Sequence, residues 1–527
     1  MTIPRKWILH ICIITPLVAM ILVGCNITTD TPTPTLTEIA PQVKTIAPTN
    51  TPAMDEPKVE TAPDQAQALL PEAQADLDML SGLTQYQLEL VLHDDGHSYT
   101  GHSLVNYTNT EDVPLDSLYF RLLPNGQISY GDGSLTVTEV LRDGVSVEAE
   151  LSVSDTVMEI PLPEPLAVGE QIQLEFDFQG VVPQDFGSDD STSGYGIYNY
   201  SDGVLSLSGW YPIIAVYDED GWNLNTISAI GDSVYSDIAL YSVDVVADSD
   251  LILASTGVSM DQEPSDGKTR HRIVSGLVRD FFLVMSPDFE VTSRDIDGTV
   301  VNSYFLPEHT AGGKAALSIT ADSLGVFNER FGTYPYTELD VVEAPMRYAL
   351  GVEYPGIFLV SSDLYENPEE PSFAVTTAHE VAHQWWYGVV GNDVFEEPWL
   401  DEALTTYASS LYYQDVVGPG AYQGLVGYWT DRYDRLVLDG GDGPIIESLS
   451  YFENAPNRSS YSGVVYTKGA LFFKALRDEL GDEAFFDALQ NYYQGNKYQI
   501  AEGAELLGHF EESNGESLET LYQDWLY

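Results

Sequence analysis

Thr376-Thr377-Ala378-His379-Glu380-Val381-Ala382-His383-Gln384-Trp385-Trp386 is the stretch that decides how this chain is read. His379 and His383 stand four residues apart, so on a helix they project from one face, one turn above the other. Two imidazoles at that spacing can grip one metal ion, and Glu380, next in the chain to His379, is placed to act as a general base toward water. The plain alternative is an amphipathic helix that buries two satisfied histidines. A third residue argues against it. Eighteen residues lie between His383 and Glu402, which sits in Glu397-Pro398-Trp399-Leu400-Asp401-Glu402-Ala403-Leu404. A second helix starting near Trp399 would fold back and present Glu402 to the same ion. Two histidines and one carboxylate leave a fourth position open for water, as a catalytic zinc site needs and a structural one does not.

The HExxH-x18-E pattern, followed by Tyr466-Thr467-Lys468-Gly469-Ala470, resembles the M1 family of zinc metallopeptidases, the gluzincin group that includes aminopeptidase N and leukotriene A4 hydrolase. The resemblance implies one Zn2+ per chain, held by His379, His383 and Glu402, with Glu380 as the base. It also implies that Tyr466 is catalytic, donating a phenolic hydrogen bond to the oxyanion of the tetrahedral intermediate. In the family a Gly-x-Met-Glu-Asn element precedes the zinc helix, and its Glu binds the free α-amino group of the substrate. Here the corresponding stretch is Leu350-Gly351-Val352-Glu353-Tyr354-Pro355, which keeps the acid as Glu353 but replaces the first Gly, the Met and the Asn. Gly351 and Glu353 are therefore the implied substrate-binding residues. Arg121-Leu122-Leu123-Pro124-Asn125 and Gly209-Trp210-Tyr211-Pro212 extend the resemblance upstream. The expected activity is removal of N-terminal residues from peptides. An endopeptidase, a hydrolase acting on a non-peptide bond such as an epoxide, and a catalytically silent surface binding module are the competing readings. Longer family members continue into a helical domain that roofs the site, so an open cleft, or one covered by another chain, is expected.

The implied fold is multidomain: a saddle-like antiparallel β-domain, then an α+β, mainly helical, thermolysin-like catalytic domain. The sequence texture agrees. Tyr86-Gln87-Leu88-Glu89-Leu90-Val91-Leu92 and Gln171-Ile172-Gln173-Leu174-Glu175-Phe176-Asp177-Phe178 alternate with period two, so residues 81–290 read as an antiparallel β-domain. Residues 291–527 mix a few strands (300–305, 339–344) with helices at 315–331, 469–480 and 484–493. His93, His97 and His102 lie on a presumptive strand-turn-strand and read as surface residues. Trp385, Trp386 and Trp399 are expected to pack around the site, with Gly388 and Gly391 turning the chain out of the zinc helix. Asp401 is weighed as an acceptor for a metal-binding imidazole, although its neighbour on a helix points elsewhere.

Acidic residues number 82 against 21 Lys and Arg, a formal net charge of -61. A field of that sign repels phosphate backbones, which excludes nucleic acid as a partner. Cys12 and Cys25 are the only cysteines, so the body has neither a disulfide nor a thiolate metal site. Arg5 and Lys6 precede an apolar run that closes with Leu22-Val23-Gly24-Cys25. That pattern reads as a signal peptide over residues 1–25 ending in a lipobox, with Cys25 lipidated; an uncleaved signal anchor is the alternative. The Thr/Pro-rich stretch that follows, as in Thr31-Pro32-Thr33-Pro34-Thr35, has too little apolar material to fold, and residues 26–80 are expected to be a disordered linker. The expected location is the extracytoplasmic side of the cell membrane, reached only through the lipid.

Overall fold

The structure is a computed structural model and describes residues 64–185, 194–454 and 460–527. Signal peptide, Cys25 and most of the linker lie outside the described residues. Within them the linker boundary needs correcting. A short 3-10 turn at Gln65–Ala68 leads into buried Leu69, Leu70 and Ala73. The Leu70 amide donates to Pro335 O at 2.8 Å, and Asp76 accepts from Lys497 at 2.7 Å. The apolar cluster there is too short to show a period, yet it is long enough to dock the chain onto the body.

The β-lobe is built on β1 (Thr84–Leu92), β2 (Ser98–Thr108), β3 (Ser134–Arg142), β4 (Gln171–Val181), β5 (Ala239–Asp248), β6 (Val258–Ser265) and β7 (Lys268–Val278). With the short strand Val145–Ser146 they form an eight-stranded sheet in the order β6-β7-β5-β1-β2-β4-β3-Val145–Ser146. Alternation decides which face is core: Tyr86, Leu88, Leu90 and Leu92 are buried on β1, and Tyr241, Val243 and Val245 on β5. The sheet departs from the antiparallel expectation at its centre, where β1 and β5 run parallel with Leu88 opposite Val243. Tyr86 and Tyr241 stack there with centroids 4.9 Å apart. Two four-stranded sheets complete the lobe, and Trp210 is buried within it, its carbonyl accepting from Tyr99 and its Nε1 donating to Phe281 O.

The catalytic lobe opens with β8 (Glu290–Ile296), β9 (Thr299–Phe305), β10 (Glu338–Ala344), β11 (Gly351–Tyr354) and β12 (Ile357–Ser361), ordered β8-β9-β10-β12-β11. The β9-β10-β12 core is parallel and reads as apolar runs, as sheets covered on both faces do. Helix α1 (Thr310–Phe331) covers it through Ala316, Leu324, Phe327 and Phe331. Then come α2 (Pro371–Ala382), α3 (Trp399–Tyr412), α4 (Pro419–Leu438), α5 (Gly469–Leu480), α6 (Asp482–Asn496) and α7 (Gly503–Asn514).

One residue of the β-lobe ties these parts together. Buried Arg279 donates to the carbonyls of Tyr387, Val389, Ser236 and Gln499. Gly391 leaves it room, since a Cβ there would fall 2.2 Å from the guanidinium carbon. Next to it, Asp280 accepts a hydrogen bond from the Tyr387 hydroxyl. The described residues accordingly form one compact unit. Among the described residues no helix is long and apolar enough to cross a membrane.

Candidate active site

Helix α2 starts with Pro371 in its first turn, where a missing amide hydrogen costs nothing, and runs to Ala382. His379 and His383 occupy its last turn and the residue just beyond. The chain leaves the helix at once: the Gly388 amide returns to His383 O at 2.8 Å, and the Trp386 carbonyl comes within 3.1 Å of His383 Nδ1. A carbonyl can only accept, so Nδ1 carries the proton and Nε2 presents its lone pair. Thr405 Oγ1 lies 3.4 Å from the same Nδ1. Asp401 is not the acceptor weighed from sequence. Its Oδ1 takes the Glu402 amide at 2.7 Å, and its Oδ2 has no hydrogen-bond partner.

Helix α3 starts at Trp399, and Trp385, Trp386 and Trp399 are all buried around the site. It carries Glu402 to the two imidazoles. The Nε2 atoms of His379 and His383 are 3.1 Å apart, and Glu402 Oε2 lies 3.2 Å from the first and 3.6 Å from the second. Ligands about 2.0–2.2 Å from a tetrahedral ion stand about 3.3–3.5 Å apart, so this triangle fits one. Glu402 Oε2 has no hydrogen-bond donor of its own. Its other oxygen accepts the Tyr466 hydroxyl, and the Tyr466 ring lies over His379 with centroids 6.0 Å apart.

Tyr466 stands on a π-helical turn, Ser462–Lys468, just before α5. Such turns recur at functional sites because they rotate one side chain out of α-helical register. Gly469 lets α5 approach α3: a Cβ there would sit 2.4 Å from the Ala403 Cβ. On the sheet side, Gly351 is required for a related reason. A Cβ at Gly351 would lie 2.2 Å from Glu380 Oε1, so edge strand β11 presses directly on that carboxylate. Two residues further along β11, Glu353 places Oε2 3.9 Å from His383 Nε2.

The charges in this pocket are out of balance. Burial alone would raise the Glu402 carboxyl, but the two imidazoles outweigh it and hold it at about 2. His383, which burial would lower, is pushed up to about 9 by Glu402. His379 is lowered by burial. Glu380, Glu353 and Asp401 all rise well above the carboxylate range, through burial first and neighbouring carboxylates second. A cation beside them would let these acids ionise, and the His379–His383–Glu402 triangle, two imidazoles and a carboxylate, is the donor set that fits one.

Three contributors were missed from sequence. Asp232 comes from an irregular segment of the β-lobe. Burial and the charge of Glu402 push it up to about 7, and its charge also acts on Glu353, Glu380 and Tyr466. The segment is fixed by Ser228 Oγ, which donates to Glu453 Oε1 at 2.6 Å, and by Gly231, packed against Leu449 and the Tyr461 hydroxyl. Tyr461 is buried with its hydroxyl unpartnered, its ring 5.7 Å edge-on to Tyr466. The third is Arg279. Of these, only the five-residue spacing between Tyr461 and Tyr466, one π-turn, left any trace in the sequence. His102, by contrast, pairs with Asp177 on the exposed face of the β-lobe, remote from this chemistry.

Comparison with known proteins fits the geometry. Residues 315–525 match the profile described as "Peptidase family M1 domain". The chain is 28% identical over 253 residues to Aminopeptidase M1-B of Oryza sativa subsp. japonica, covering 45% of this chain and 28% of that protein. It is 26% identical over 235 residues to Aminopeptidase N of Streptomyces lividans, covering 42% and 26%. The chain thus spans little more than a quarter of the length of these curated relatives. Among solved structures, an M1 zinc metallopeptidase from Deinococcus radiodurans superposes with a TM-score of 0.63 at 20% identity, covering 84% of this chain and 93% of that one. At that identity the likeness is one of fold, and it extends over the β-lobe as well as the residues that match the profile.

Proposed function

We propose that the protein is a zinc-dependent aminopeptidase. The observation that carries the reading is the convergence of His379, His383 and Glu402 at tetrahedral-edge distances, with buried Glu380 and half-buried Tyr466 beside them. Bound zinc would supply a Lewis acid for the scissile carbonyl and make an adjacent water acidic. Glu380, pressed by Gly351 and short of a hydrogen-bond donor, takes the proton of the attacking water and returns it to the departing amine. The Tyr466 hydroxyl donates to the oxygen that becomes negative as the carbonyl turns tetrahedral. Glu353 receives the substrate's ammonium, a charge-assisted contact that counts one residue in from the N-terminus. Asp232 adds negative charge to the same end from the opposite lobe.

The relatives named above are aminopeptidases, and a variant of the Deinococcus radiodurans enzyme was solved bound to a Tyr-Ser-Ala substrate. The test is hydrolysis of aminoacyl-arylamides by the purified chain, with a chelator and with zinc restored. Chelator-sensitive release that zinc restores supports the reading, and N-acetylated substrates are expected to be inert. Equal cleavage of acetylated and free peptides would make it an endopeptidase instead.

For location, we propose anchoring on the outer face of the cell membrane through lipidated Cys25, supported by Leu22-Val23-Gly24-Cys25 after a basic and apolar leader. Cys25→Ala is expected to release the protein from the membrane fraction; unchanged retention would defeat this.

A further inference from the structure

The β-lobe carries an open cavity of about 870 Å3, built from none of the metal-site residues. Residues of two sheet edges line it. One edge is β3, joined on its outer side only to Val145–Ser146 at its far end. The other is the strand Glu150–Ser152, which ends a four-stranded sheet and pairs only with Val157–Leu166. Of the lining residues, Leu122, Leu135 and Met158 are buried and supply an apolar floor, while Glu139 and Asp155 are exposed. None of the described residues that line it is cationic.

Asn125 shows what the free edge of β3 takes. Its side-chain oxygen accepts from the Leu135 amide at 2.9 Å, and its nitrogen donates to the carbonyls of Leu135 at 3.0 Å and Asp155 at 2.8 Å. A carboxamide thus pairs with β3 as a peptide group of a neighbouring strand would. Val137 stands two residues on, so by the alternation of an antiparallel ladder it turns its own N–H and C=O to the same side. Just beyond, the register with β4 shifts between Val137 and Glu139, a bulge of the kind that re-aims side chains beside sites. Neither Pro nor Lys blunts the edge between Ser134 and Val140. On the other wall, Val153, Ser154 and Asp155 have φ of 49°, 56° and 63°. Consecutive left-handed L-residues are disfavoured, and such backbone persists where its surroundings fix it, as in ligand clamps.

We propose that this cavity is a docking site for an extended, basic stretch of another polypeptide, which adds to β3 as a strand. Its backbone continues at Val137 the pairing that Asn125 begins at Leu135. Alternate apolar side chains rest on the floor, and Lys or Arg side chains between them reach Glu139 and Asp155. Charge selects the occupant: the margin is acidic, as is the whole chain at -61, and an acidic segment is repelled. A strand laid along this edge uses about six residues at about 3.3 Å each. The site does not depend on the aminopeptidase reading.

The experiment follows the fluorescence anisotropy of a hexapeptide of alternating Lys and Val as the full chain is added. Fluorescein on its amino end and an amide on its carboxyl end leave no free N-terminus for the metal site. Saturable, one-to-one binding is expected. The same peptide N-methylated at alternate amides keeps its charge but loses its ladder, and should bind about tenfold or more weakly. Glu139→Lys should weaken binding of the unmodified peptide about tenfold with thermal unfolding unchanged. Asp155→Asn, which tolerates left-handed backbone, should weaken it about threefold. A hexapeptide of alternating Glu and Val should not bind. Equal binding of the methylated and unmodified peptides, equal binding of the acidic peptide, or unchanged affinity in both variants overturns the proposal.

Discussion

The two walls of this pocket are made by opposite means. On one side, His379, Glu380, His383 and Glu402 come from the end of one helix and the start of the next, and Tyr466 from the turn before a third. On the other side, the β-lobe reaches in with Asp232 on a segment that is neither strand nor helix, pinned by Ser228 to Glu453 and by Gly231 to Tyr461. The helical wall holds reacting atoms to within tenths of an ångström through backbone periodicity. The irregular wall has no period to rely on and is held by individual contacts. Chemistry is therefore expected to depend on the first wall, and substrate affinity on the second.

The sharpest way to break that division is Glu380→Gln. It should retain zinc and lose about 10²–10⁴-fold in kcat, read by metal analysis and arylamide hydrolysis together. Full activity with zinc bound would end the scheme. Tyr466→Phe should follow, losing about 10²–10³-fold in kcat if the hydroxyl serves the oxyanion. A change confined to KM would assign Tyr466 to binding.

Asp280 probes the clamp between the lobes. Burial raises its carboxyl to about 7, against the lowering effects of Tyr387 and Arg279. The folded protein therefore keeps a proton that the unfolded chain releases above about pH 4, and stability falls as pH rises from there to about 7. Asp280→Asn cannot titrate. Measured by denaturant unfolding, its stability relative to wild type should rise between pH 4 and 7, by on the order of 1–3 kcal/mol. A pH-independent difference would show that Asp280 is ionised throughout.

Smaller effects belong to the irregular wall. Asp232→Asn should raise KM about tenfold with kcat nearly unchanged, as expected for a lost charge-assisted contact. A fall in kcat alone would move Asp232 to the chemical side. Gly231→Ala should cost about 1 kcal/mol in thermal unfolding. Its φ is +65°, and a Cβ there would lie 2.7 Å from Leu449.

The same contrast sets what the sequence revealed. The zinc helix, the start of the next helix at Trp399 and the place of Tyr466 were legible, because ligands on helices leave fixed spacings. Period-two runs such as 86–92 and 171–178 located strands but not partners, so the parallel seam between β1 and β5, with Leu88 opposite Val243, had no local signature. Asp232 was one acid among 82. The docking of residues 64–80 depends on contacts with Pro335 and Lys497, hundreds of residues away. Asp401 was weighed on adjacency, whereas the imidazole found a backbone carbonyl, a group present at every residue and therefore invisible in a sequence.

The Arg279 clamp bears on how such a molecule can be altered. Its guanidinium serves carbonyls on both sides of the boundary at residue 290, among them two in the segment that follows His383. A catalytic half expressed alone would keep its metal ligands and its base, yet the carbonyls of Tyr387, Val389 and Gln499 would face an empty socket. The helical half is thus not a portable cassette, and grafting it onto another β-lobe would mean carrying this arginine along.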